Sequence, residues 1–385
     1  MGDLVIEEIN DVERFRSLRE TWNTLLTGSP DNHIFLTWEW LFSWWQYHEA
    51  GKKLRIVLIK DKEKVIAVAP LMQSRERKGI FRFDLLENIC GKNCDSSGII
   101  LAEKEQECVD TLLDYLGKVA EDTGAIVRLW HIPENSRFIN ILRQQYPSFS
   151  RSICLTERPV SSCPYIDLPA TWEEYLSTLR ASSRTALRRY LRRLQKDHVV
   201  VFRKYTGDTD LRVEMDALFN MHEKRWRKKG VTSKFTRVAE QEFYFNVSKY
   251  FRQNGWLNLS FLDVDGKPVS VVWGFDYTDA YYQMTHTFDP DYSQYSVGTV
   301  HLMRLIEDCI RNGRTKFDFL KGDEPFKYRW ARHTVNNVQV TITQRGKGVR
   351  MRVMLLETLP KLGLFRPANL WRRYLRYPEA RKKEK

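Results

Sequence analysis

The stretch from Tyr281 to Trp330 decides the fold, and it reads YYQMTHTFDPDYSQYSVGTVHLMRLIEDCIRNGRTKFDFLKGDEPFKYRW. Its hydrophobic pattern predicts a strand over Tyr281–Phe288, a loop over Asp289–Gly298, a helix over Thr299–Asn312 and a second strand over Thr315–Leu320. A strand that passes through a loop into a helix start leaves backbone N–H groups without intrahelical partners, and these groups attract anions together with the helix dipole. The sequence therefore predicts a pyrophosphate-type anion site at this helix start.

The positive charge of the chain is concentrated in two regions. The net charge is +13, and Arg180–Lys196 contributes seven basic residues and no acid. Arg345–Lys385 contributes a further 13 basic residues against three acids, so that the remaining chain carries a net charge of −4. Regional basicity indicates local anionic partners rather than a general affinity for nucleic acid.

Cysteine usage and the N-terminus point to a reducing, cytoplasmic setting. None of the six cysteines has the C-x-x-C spacing of a zinc knuckle, and a chain of 385 residues does not need disulfide bonds to form a core. A redox or metal role for Cys90 and Cys94 is the alternative. The first residues lack the basic flank and apolar core of a signal peptide, and no apolar run reaches the roughly 20 residues that span a bilayer.

The chain contains a repeat. Leu54–Met72 aligns without a gap with Leu257–Phe275, and each segment reads as two β-rich runs around a polar turn. A helix-like aromatic segment precedes each hairpin, at Trp38–Tyr47 in the first copy and at Glu242–Phe251 in the second. We therefore expect two copies of one α/β unit.

The two copies differ after the hairpin. In the first, Phe81–Ile100 has no Gly-Thr helix start of the kind found at Gly298, so we expect the second copy to bind the cofactor and the first to form one wall of a cleft. The predicted domains are residues 1–160, residues 161–345 and a basic tail of residues 346–385.

The basic segment between the copies reads as a helix with one apolar face. Thr171 with Glu174 three residues later has the pattern of a capping box. Two alternatives remain for the basic residues that follow. They form a solvated helix face, or Arg180, Ser183 and Arg184 border the substrate or the phosphates of a cofactor.

The loop and helix start at Tyr292–Thr299, the strand Phe317–Leu320 and the segment Gly322–Trp330 together resemble the GNAT-type acyltransferases. Within that superfamily they are similar to the bacterial branch named after the cellulose-biosynthesis protein CelD, which is distantly related to the FemAB aminoacyltransferases. The resemblance spans roughly Arg151–Gln344 and is vaguer in the first 150 residues. It implies an α/β (α+β) fold of tandem duplicated GNAT-like domains, with mixed, mostly antiparallel sheets flanked by helices.

The resemblance also implies transfer of an acetyl or other acyl group from acyl-CoA to an amine or hydroxyl. Its pyrophosphate-binding loop corresponds here to Ser296, Val297, Gly298 and Thr299, with one glycine where the family pattern has more. FemAB-type relatives use aminoacyl-tRNA instead, so tRNA is the alternative donor. Cellulose-related relatives point to a saccharide or other envelope acceptor and to polysaccharide biosynthesis.

Direct acyl transfer needs a base for the attacking amine or alcohol, and a carboxylate in an aromatic setting can serve. Asp323 and Glu324 are the first candidates, with capping of a following helix as the alternative. Asp318 either faces the cleft or pairs with an arginine. His286 is either a base or a structural strand residue.

Further candidates lie near these residues. Lys327 and Arg329 are candidates for holding the cofactor or an anionic acceptor, and plain surface charge is the alternative. His222, Trp226 and Tyr328 are candidate substrate contacts, with ion pairing as the alternative for the helix that carries His222. No catalytic triad, phosphate-binding loop or metal-ligand spacing occurs in the sequence, which predicts a metal-free direct transfer.

The tail combines apolar residues with many arginines over Val349–Tyr377. This composition suits either a helix on the anionic inner face of a membrane or a terminal helix that docks on the fold. The competing function class for the whole chain is a non-catalytic module that binds RNA or a membrane.

Overall fold

The structure is a computed structural model, and it describes residues 4–78, 80–145 and 153–346. Its helices are α1 (Val12–Ser17), α2 (Arg19–Thr27), α3 (Trp38–His48), α4 (Glu105–Thr123), α5 (Arg137–Gln145), α6 (Trp172–Thr178), α7 (Ala181–Asp197), α8 (Leu211–Lys228), α9 (Val238–Gln253) and α10 (Val297–Arg311). Its strands are β1 (Val5–Ile9), β2 (Lys53–Leu54), β3 (Ile56–Asp61), β4 (Lys64–Ala69), β5 (Leu71–Lys78), β6 (Phe81–Asn88), β7 (Ile100–Leu101), β8 (Ile126–Pro133), β9 (Ile153–Asp167), β10 (Val200–Lys204), β11 (Leu257–Val264), β12 (Lys267–Tyr277), β13 (Ala280–Phe288), β14 (Lys316–Asp318) and β15 (His333–Gln344).

Two sheets organise the molecule. A four-stranded sheet has the order β1-β3-β4-β7, and an eleven-stranded sheet has the order β10-β11-β12-β13-β14-β9-β15-β8-β6-β5-β2. Most neighbours are antiparallel, and the two parallel pairs are β6 with β8 and β13 with β14. Each parallel pair is joined by a crossover that contains a helix, α4 in the first half and α10 in the second.

The predicted repeat is present as two corresponding hairpins. Asp61 pairs with Lys64 at the end of the first, and Val264 pairs with Lys267, 203 positions later in both strands, at the end of the second. The second turn, Asp265-Gly266, has positive φ angles of 52° and 77°, as a two-residue hairpin turn of this twist requires. The hairpin turns therefore set the register of the repeat in both halves.

The halves exchange strands at the centre of the large sheet. β9 follows the first half in the chain but pairs with β14 of the second, while β15 follows the second half and pairs with β8 of the first. β9 and β15 also pair with each other over almost their whole length. The predicted boundary at residues 160 and 161 therefore falls inside a strand that both halves share, and the domain division stays a prediction.

The helices α3 and α9 pack against each other at corresponding positions of the repeat. The Trp40 and Phe243 rings lie 5.4 Å apart, and Asn246 Nδ2 donates to Ser43 Oγ at 3.2 Å. Both pairs join residues that are 203 positions apart. A contact between equivalent residues is what an isologous dimer interface shows, so the two copies meet about a local twofold axis.

Local differences from the expected elements have physical reasons. The helix predicted from Thr299 begins at Val297, after Ser296 in a left-handed conformation. The strand predicted to end at Leu320 ends at Asp318, because the Asp318 carboxylate accepts from the Leu320 N–H and Leu320 turns to φ 58°. The basic segment that reads as a helix from the sequence contains a break at Leu179 and Arg180, between α6 and α7.

Other sequence-based expectations concern the ends and surroundings of the fold. The capping box of Thr171 and Glu174 is present at the start of α6. The predicted membrane-contacting segment Val349–Tyr377 lies outside the described residues. Within the described ranges, no helix combines the length and apolar character needed to cross a membrane.

Candidate functional site

The site predicted from the sequence lies where β13 and β14 separate. The two strands are paired from Ala280 to Tyr282, opposite Lys316 to Asp318. Beyond this point β13 continues through a bulge at Met284 to Phe288, while the chain after β14 bonds to β9 through the Phe319 N–H. We call this opening the wedge. The edge of β13 that borders it has no strand partner in the described structure.

The helix start of α10 lies beside the open part of β13. A Cβ atom on Gly298 would lie 2.9 Å from Phe288 Cδ1 and 3.2 Å from His286 Cε1, so only glycine allows the helix to approach the strand this closely. The N–H groups of Val297 and Gly298 precede the first intrahelical bonds, which Thr299 and Val300 donate to the Ser296 carbonyl. The four residues predicted to bind the pyrophosphate therefore occupy this helix start.

The corresponding helix of the first half has the opposite electrostatics. The first turn of α4 contains Glu105 and Glu107, whereas the first turn of α10 contains no acidic residue. Carboxylates at a helix start occupy the place that a bound anion would take. The α10 start is thus suited to a phosphate group and the α4 start is not, which agrees with the expectation that the second copy holds the cofactor.

The loop before α10 is fastened from two sides. Lys224 of α8 pairs with Asp289 at 2.7 Å and with Asp291 at 2.8 Å. On the other side, Tyr295 donates to Asp197 at the end of α7 at 3.2 Å, and Arg193 lies 5.4 Å from the Tyr295 ring. The acidic residues of this loop are therefore neutralised by ion pairs and leave the helix start available to an anion.

The basic face of α7 flanks the same loop, since α7 packs against both α10 and residues 290–295. Its exposed basic residues form no ion pair with a carboxylate in the part of the chain that the structure describes, and they are Arg188, Arg189, Arg192, Arg193 and Lys196. The predicted contacts Arg180, Ser183 and Arg184 lie at the other end of this helix. Arg184 donates to the Leu179 carbonyl at 2.8 Å and so fastens the α6–α7 junction.

The segment after β14 is held by a buried lysine. Lys327 is 5% exposed, and its Nζ lies 3.1 Å from the Leu320 carbonyl, 2.8 Å from the Lys321 carbonyl and 3.0 Å from Glu324 Oε2. These contacts use all three ammonium protons. Lys327 therefore stabilises the turn at residues 320–324 and has no proton left for a cofactor.

The carboxylates of this segment differ in their burial and in their hydrogen-bond and ion-pair partners. Asp318 is 7% exposed, and it accepts from the Leu320 N–H at 2.8 Å and pairs with Lys316 at 2.9 Å rather than with an arginine. Asp323 is exposed and accepts from the Tyr328 hydroxyl at 2.8 Å. Burial and this bond raise the pKa of Tyr328 to about 12. Asp323 is thus the predicted catalytic carboxylate that is not tied to a cation, and Arg329 is exposed.

His286 belongs to a polar chain that crosses the sheet. Ser270 Oγ lies 3.2 Å from His286 Nε2 and 2.9 Å from His301 Nδ1, and it donates to the Thr287 carbonyl at 3.1 Å. Because a hydroxyl has one proton, both ring nitrogens act as donors to Ser270. His301 Nε2 then accepts from Ser260 at 3.0 Å.

This network keeps both histidines neutral. Burial lowers the pKa of His301 to about 3, and burial together with His301 and Arg225 lowers the pKa of His286 well below its usual range. An imidazole with such a low pKa is a poor proton acceptor at neutral pH. The sequence contains a signal for this network, since Ser260 and Ser270 interrupt otherwise apolar strands at buried positions.

His222 and Trp226 bond to each other on α8. Trp226 Nε1 donates to His222 Nε2 at 2.6 Å, and His222 Nδ1 lies 2.8 Å from Ser233 Oγ. Burial and the neighbouring cations lower the pKa of His222 to about 2. Both ring nitrogens of His222 are hydrogen-bonded within the fold. A contact of His222 and Trp226 with a substrate stays a prediction.

Two cations that sequence reasoning missed lie near β13. Arg225 donates to the His286 carbonyl at 3.2 Å and stacks 3.9 Å from the Phe288 ring. Lys234 donates to the Tyr244 hydroxyl and lies 3.4 Å from Thr285 Oγ1. Lys234 follows α8 in a short connecting segment without hydrophobic periodicity, so its position depends on tertiary packing alone.

Other features of the molecule lie away from the wedge. A cavity of about 570 Å³ lies in the first half against Trp45, Lys52 and Arg55, and one of about 240 Å³ lies between the end of α7, β10 and α10. All six cysteines are free, and Cys90 and Cys94 are buried. Among residues 4–78, 80–145 and 153–346, no group of three or more His, Cys, Asp or Glu side chains is arranged to hold a metal ion.

Residues 181–328 match the family model described as acetyltransferase (GNAT) domain. This range contains α7, the wedge and the α10 start, and it begins after the first copy of the repeat. No curated protein matches the chain at a significant level.

Solved structures resemble the chain over most of its length. FemX superposes with a TM-score of 0.62 at 10% identity and covers 91% of this chain and 99% of its own. The C-terminal domain of a putative lysylphosphatidylglycerol synthetase from Agrobacterium fabrum gives 0.55 at 12% identity, with coverages of 90% and 97%. L-PGS from Bacillus licheniformis gives 0.53 at 10% identity, with coverages of 87% and 95%. The predicted α/β fold of tandem GNAT-like units is thereby confirmed.

Proposed function

We propose that the chain is an acyltransferase that moves an acetyl or other acyl group from acyl-CoA to an amine or hydroxyl, with the donor bound in the wedge of the second half. The observation that carries the proposal is the α10 start, which has free N–H groups and no acidic residue, while its counterpart in the first half has two. The match of residues 181–328 to the GNAT acetyltransferase model supports it.

The donor fits this place by its charge and shape. The N–H groups of Val297 and Gly298, together with the helix dipole, attract a pyrophosphate. The open edge of β13 offers backbone donors and acceptors to the amide groups of an extended pantetheine arm. The acyl group would then reach the narrow end of the wedge near Tyr282 and Asp318.

The proton of the attacking group needs an acceptor. Asp323 is the predicted carboxylate best placed for this task, because its partner is the neutral Tyr328 hydroxyl, whereas Asp318 and Glu324 are in ion pairs with lysines. The resemblance to the CelD-like branch favours a saccharide or other envelope precursor as the acceptor.

Thr299→Glu tests donor binding without disturbing the fold. Thr299 is partly exposed in the first turn of α10, where a glutamate stabilises the helix but repels a phosphate. We expect the affinity for acetyl-CoA, measured by calorimetry, to fall about tenfold, equivalent to about 1.4 kcal/mol, while the melting temperature is unchanged or higher.

Thr299→Gln is the matched control, since it has the same shape without the charge. It should bind acetyl-CoA nearly as the wild type does. If wild-type protein does not bind acetyl-CoA, or if both variants bind it equally well, the donor does not lie at the α10 start and the proposal fails.

A second candidate is a transferase that takes its acyl group from aminoacyl-tRNA. The unpaired basic face of α7 favours it, because five exposed cations beside the wedge suit a phosphate backbone. Under this alternative, Arg188→Gln with Arg192→Gln should lower the affinity for tRNA and reduce the slope of log K against log salt by about 2. If the slope is unchanged in the double variant, the alternative is excluded.

A further inference from the structure

We infer that Lys234, Tyr244 and Thr285 form a binding site for a carboxylate or phosphate group of the acceptor. The inference rests on the proposed function, and it adds the chemical class of the acceptor. None of these residues belongs to the anion site at the α10 start.

The three side chains meet beside the open part of β13. Lys234 donates to the Tyr244 hydroxyl, and its Nζ lies 3.4 Å from Thr285 Oγ1. The same nitrogen lies 4.4 Å from the Tyr244 ring and 4.9 Å from the Phe235 ring. Tyr244 is 3% exposed, whereas Lys234 is only partly buried, so the lysine lies at the edge of an aromatic cluster.

The ammonium has no counter-ion in the described structure. The neighbouring lysines of α8 behave differently, since Lys224 pairs with Asp289 and Lys228 pairs with Asp291. Glu240 lies close enough to Lys234 for the cation to help lower its pKa, yet it pairs with Arg237 and with His48.

Bonds to two neutral hydroxyls leave one of the three ammonium protons of Lys234 without an acceptor. An anionic ligand group would supply that acceptor and the missing negative charge. A cation that is partly removed from water attracts such a group more strongly than a fully hydrated one does.

The side of the sheet identifies the ligand as the acceptor. Thr285 pairs with Trp273 across β12 and β13, and the Trp273 indole bonds to Ser248 of α9. Thr285 therefore faces α8 and α9, whereas His286 points to the opposite face, against α10. An anion at Lys234 and a pyrophosphate at the α10 start lie on opposite faces of one strand, and so they belong to two different molecules.

A second observation points to the same face. Thr287 follows Thr285 by two residues, is 0% exposed, and its Oγ1 has no hydrogen-bond partner among the described residues. A buried hydroxyl without a partner is costly unless a ligand or water completes it. Arg225 reaches this part of β13 as well and adds positive potential.

The acceptor would therefore be an amine or alcohol that also has a carboxylate or phosphate group. Lys234 would fix this group while the nucleophile points along β13 towards the wedge. Neutral amines and alcohols of the same size would lack this contact.

The binding site is tested by NMR on the full chain with ¹³C-labelled lysine, so that the ammonium groups keep all three protons. The Lys234 signal is identified by its absence in Lys234→Arg. Titration with inorganic phosphate and with acetate should shift this signal saturably, and Tyr244→Phe should weaken the response several-fold. Lys229, which lies 4.7 Å from the Trp226 ring, is the matched control and should respond no more than the other surface lysines.

The substrate class is tested with acetyl-CoA and pairs of amines that differ only in a carboxylate, such as an amino acid and its amide. Lys234→Met should raise KM for the carboxylate member at least tenfold, Lys234→Arg should restore most of it, and Lys229→Met should behave as the wild type. Equal KM values for the two members of each pair would overturn the inference, as would an unshifted Lys234 signal.

The two proposals fail separately. If acetyl-CoA affinity falls in Lys234→Met, the lysine contacts the donor and the inference is wrong, although the proposed function stands. If wild-type protein does not bind acetyl-CoA at all, the proposed function fails, and the phosphate titration still decides whether Lys234 binds anions.

Discussion

The role of Lys327 in the structure differs from the anion-binding role that the sequence suggests. In the sequence Lys327 lies between two aromatic residues in the segment Gly322–Trp330, a position that suggests a lysine that binds an anionic ligand. In the structure it is 5% exposed and satisfied by two carbonyls and Glu324. A buried charge is tolerated when it is paired and fully hydrogen-bonded, and here it fixes the left-handed turn at Leu320.

Lys327→Met should therefore act on stability rather than on the donor. Removal of the ammonium leaves the Leu320 and Lys321 carbonyls without their buried donor, and we expect the free energy of unfolding to fall by about 2–4 kcal/mol in urea titrations. Arg329→Met is the control, because Arg329 is exposed two residues away and should change stability by less than about 0.5 kcal/mol. If the acetyl-CoA affinity of Lys327→Met falls while its stability does not, Lys327 is a cofactor contact after all.

At the scale of residues, the sequence predicted a contact correctly where the two contacting residues are only a few positions apart in the chain. The capping box at Thr171 and the turn at Asp265-Gly266 depend on neighbours in the chain, and both are present. The early end of β14 also depends on a local hydrogen bond. The sequence did not predict it, because an aspartate two residues before the turn is equally compatible with a strand that continues. His301 and Lys234 depend on partners far away in the chain, on strands β11, β12 and β13, and the sequence does not specify those partners.

At the scale of elements, β9 and β15 bind the halves together. Each belongs to one copy by chain order and to the other by pairing. The repeat could be read from the hairpins, because their turns are short and local. The strand exchange could not, because a long strand has the same pattern whichever neighbour it pairs with.

The exchange predicts the behaviour of fragments divided at residues 160 and 161. Residues 1–160 alone lack β15, the strand between β8 and β9, and should not give a cooperative thermal transition. Residues 161–385 alone lack the part of β9 that pairs with residues 338–344 and should be equally unfolded or aggregated. Produced together, the two fragments should co-purify and show a single transition by calorimetry. A fragment of residues 1–160 that folds alone would contradict this prediction and show that the first half does not need β15.

At the scale of the whole molecule, the two copies share a framework but have different electrostatics. The local twofold relation of α3 and α9 places equivalent residues in contact, as in a symmetric dimer. The helix starts depart from this symmetry, with Glu105 and Glu107 in one copy and uncharged residues in the other. The helix start of the second copy is thus better suited to an anion than that of the first, and the division of roles expected from the unequal loops stays a prediction.

Buried neutral histidines should make the stability of the whole molecule depend on pH. Their folded pKa values lie below the usual 6.5, near 4 for His33, 3 for His131 and His301, and 2 for His222, with burial as the main cause. Each group binds a proton in the unfolded chain before it does so in the folded one. The stability that they contribute is therefore complete above pH 6.5 and is lost as the pH falls from 6.5 towards the folded pKa values.

His301→Gln isolates one of these groups. At pH 8, where both states are neutral, the variant measures the loss of the bonds to Ser260 and Ser270. Below pH 6, its free energy of unfolding should fall less steeply than that of the wild type, by about 1.4 kcal/mol per pH unit for the missing proton. Urea titrations at half-unit intervals from pH 8 to pH 5 measure both quantities. If the two slopes are equal, His301 takes up its proton in the folded state as readily as in the unfolded chain, and the neutral Ser260–His301–Ser270 arrangement is wrong.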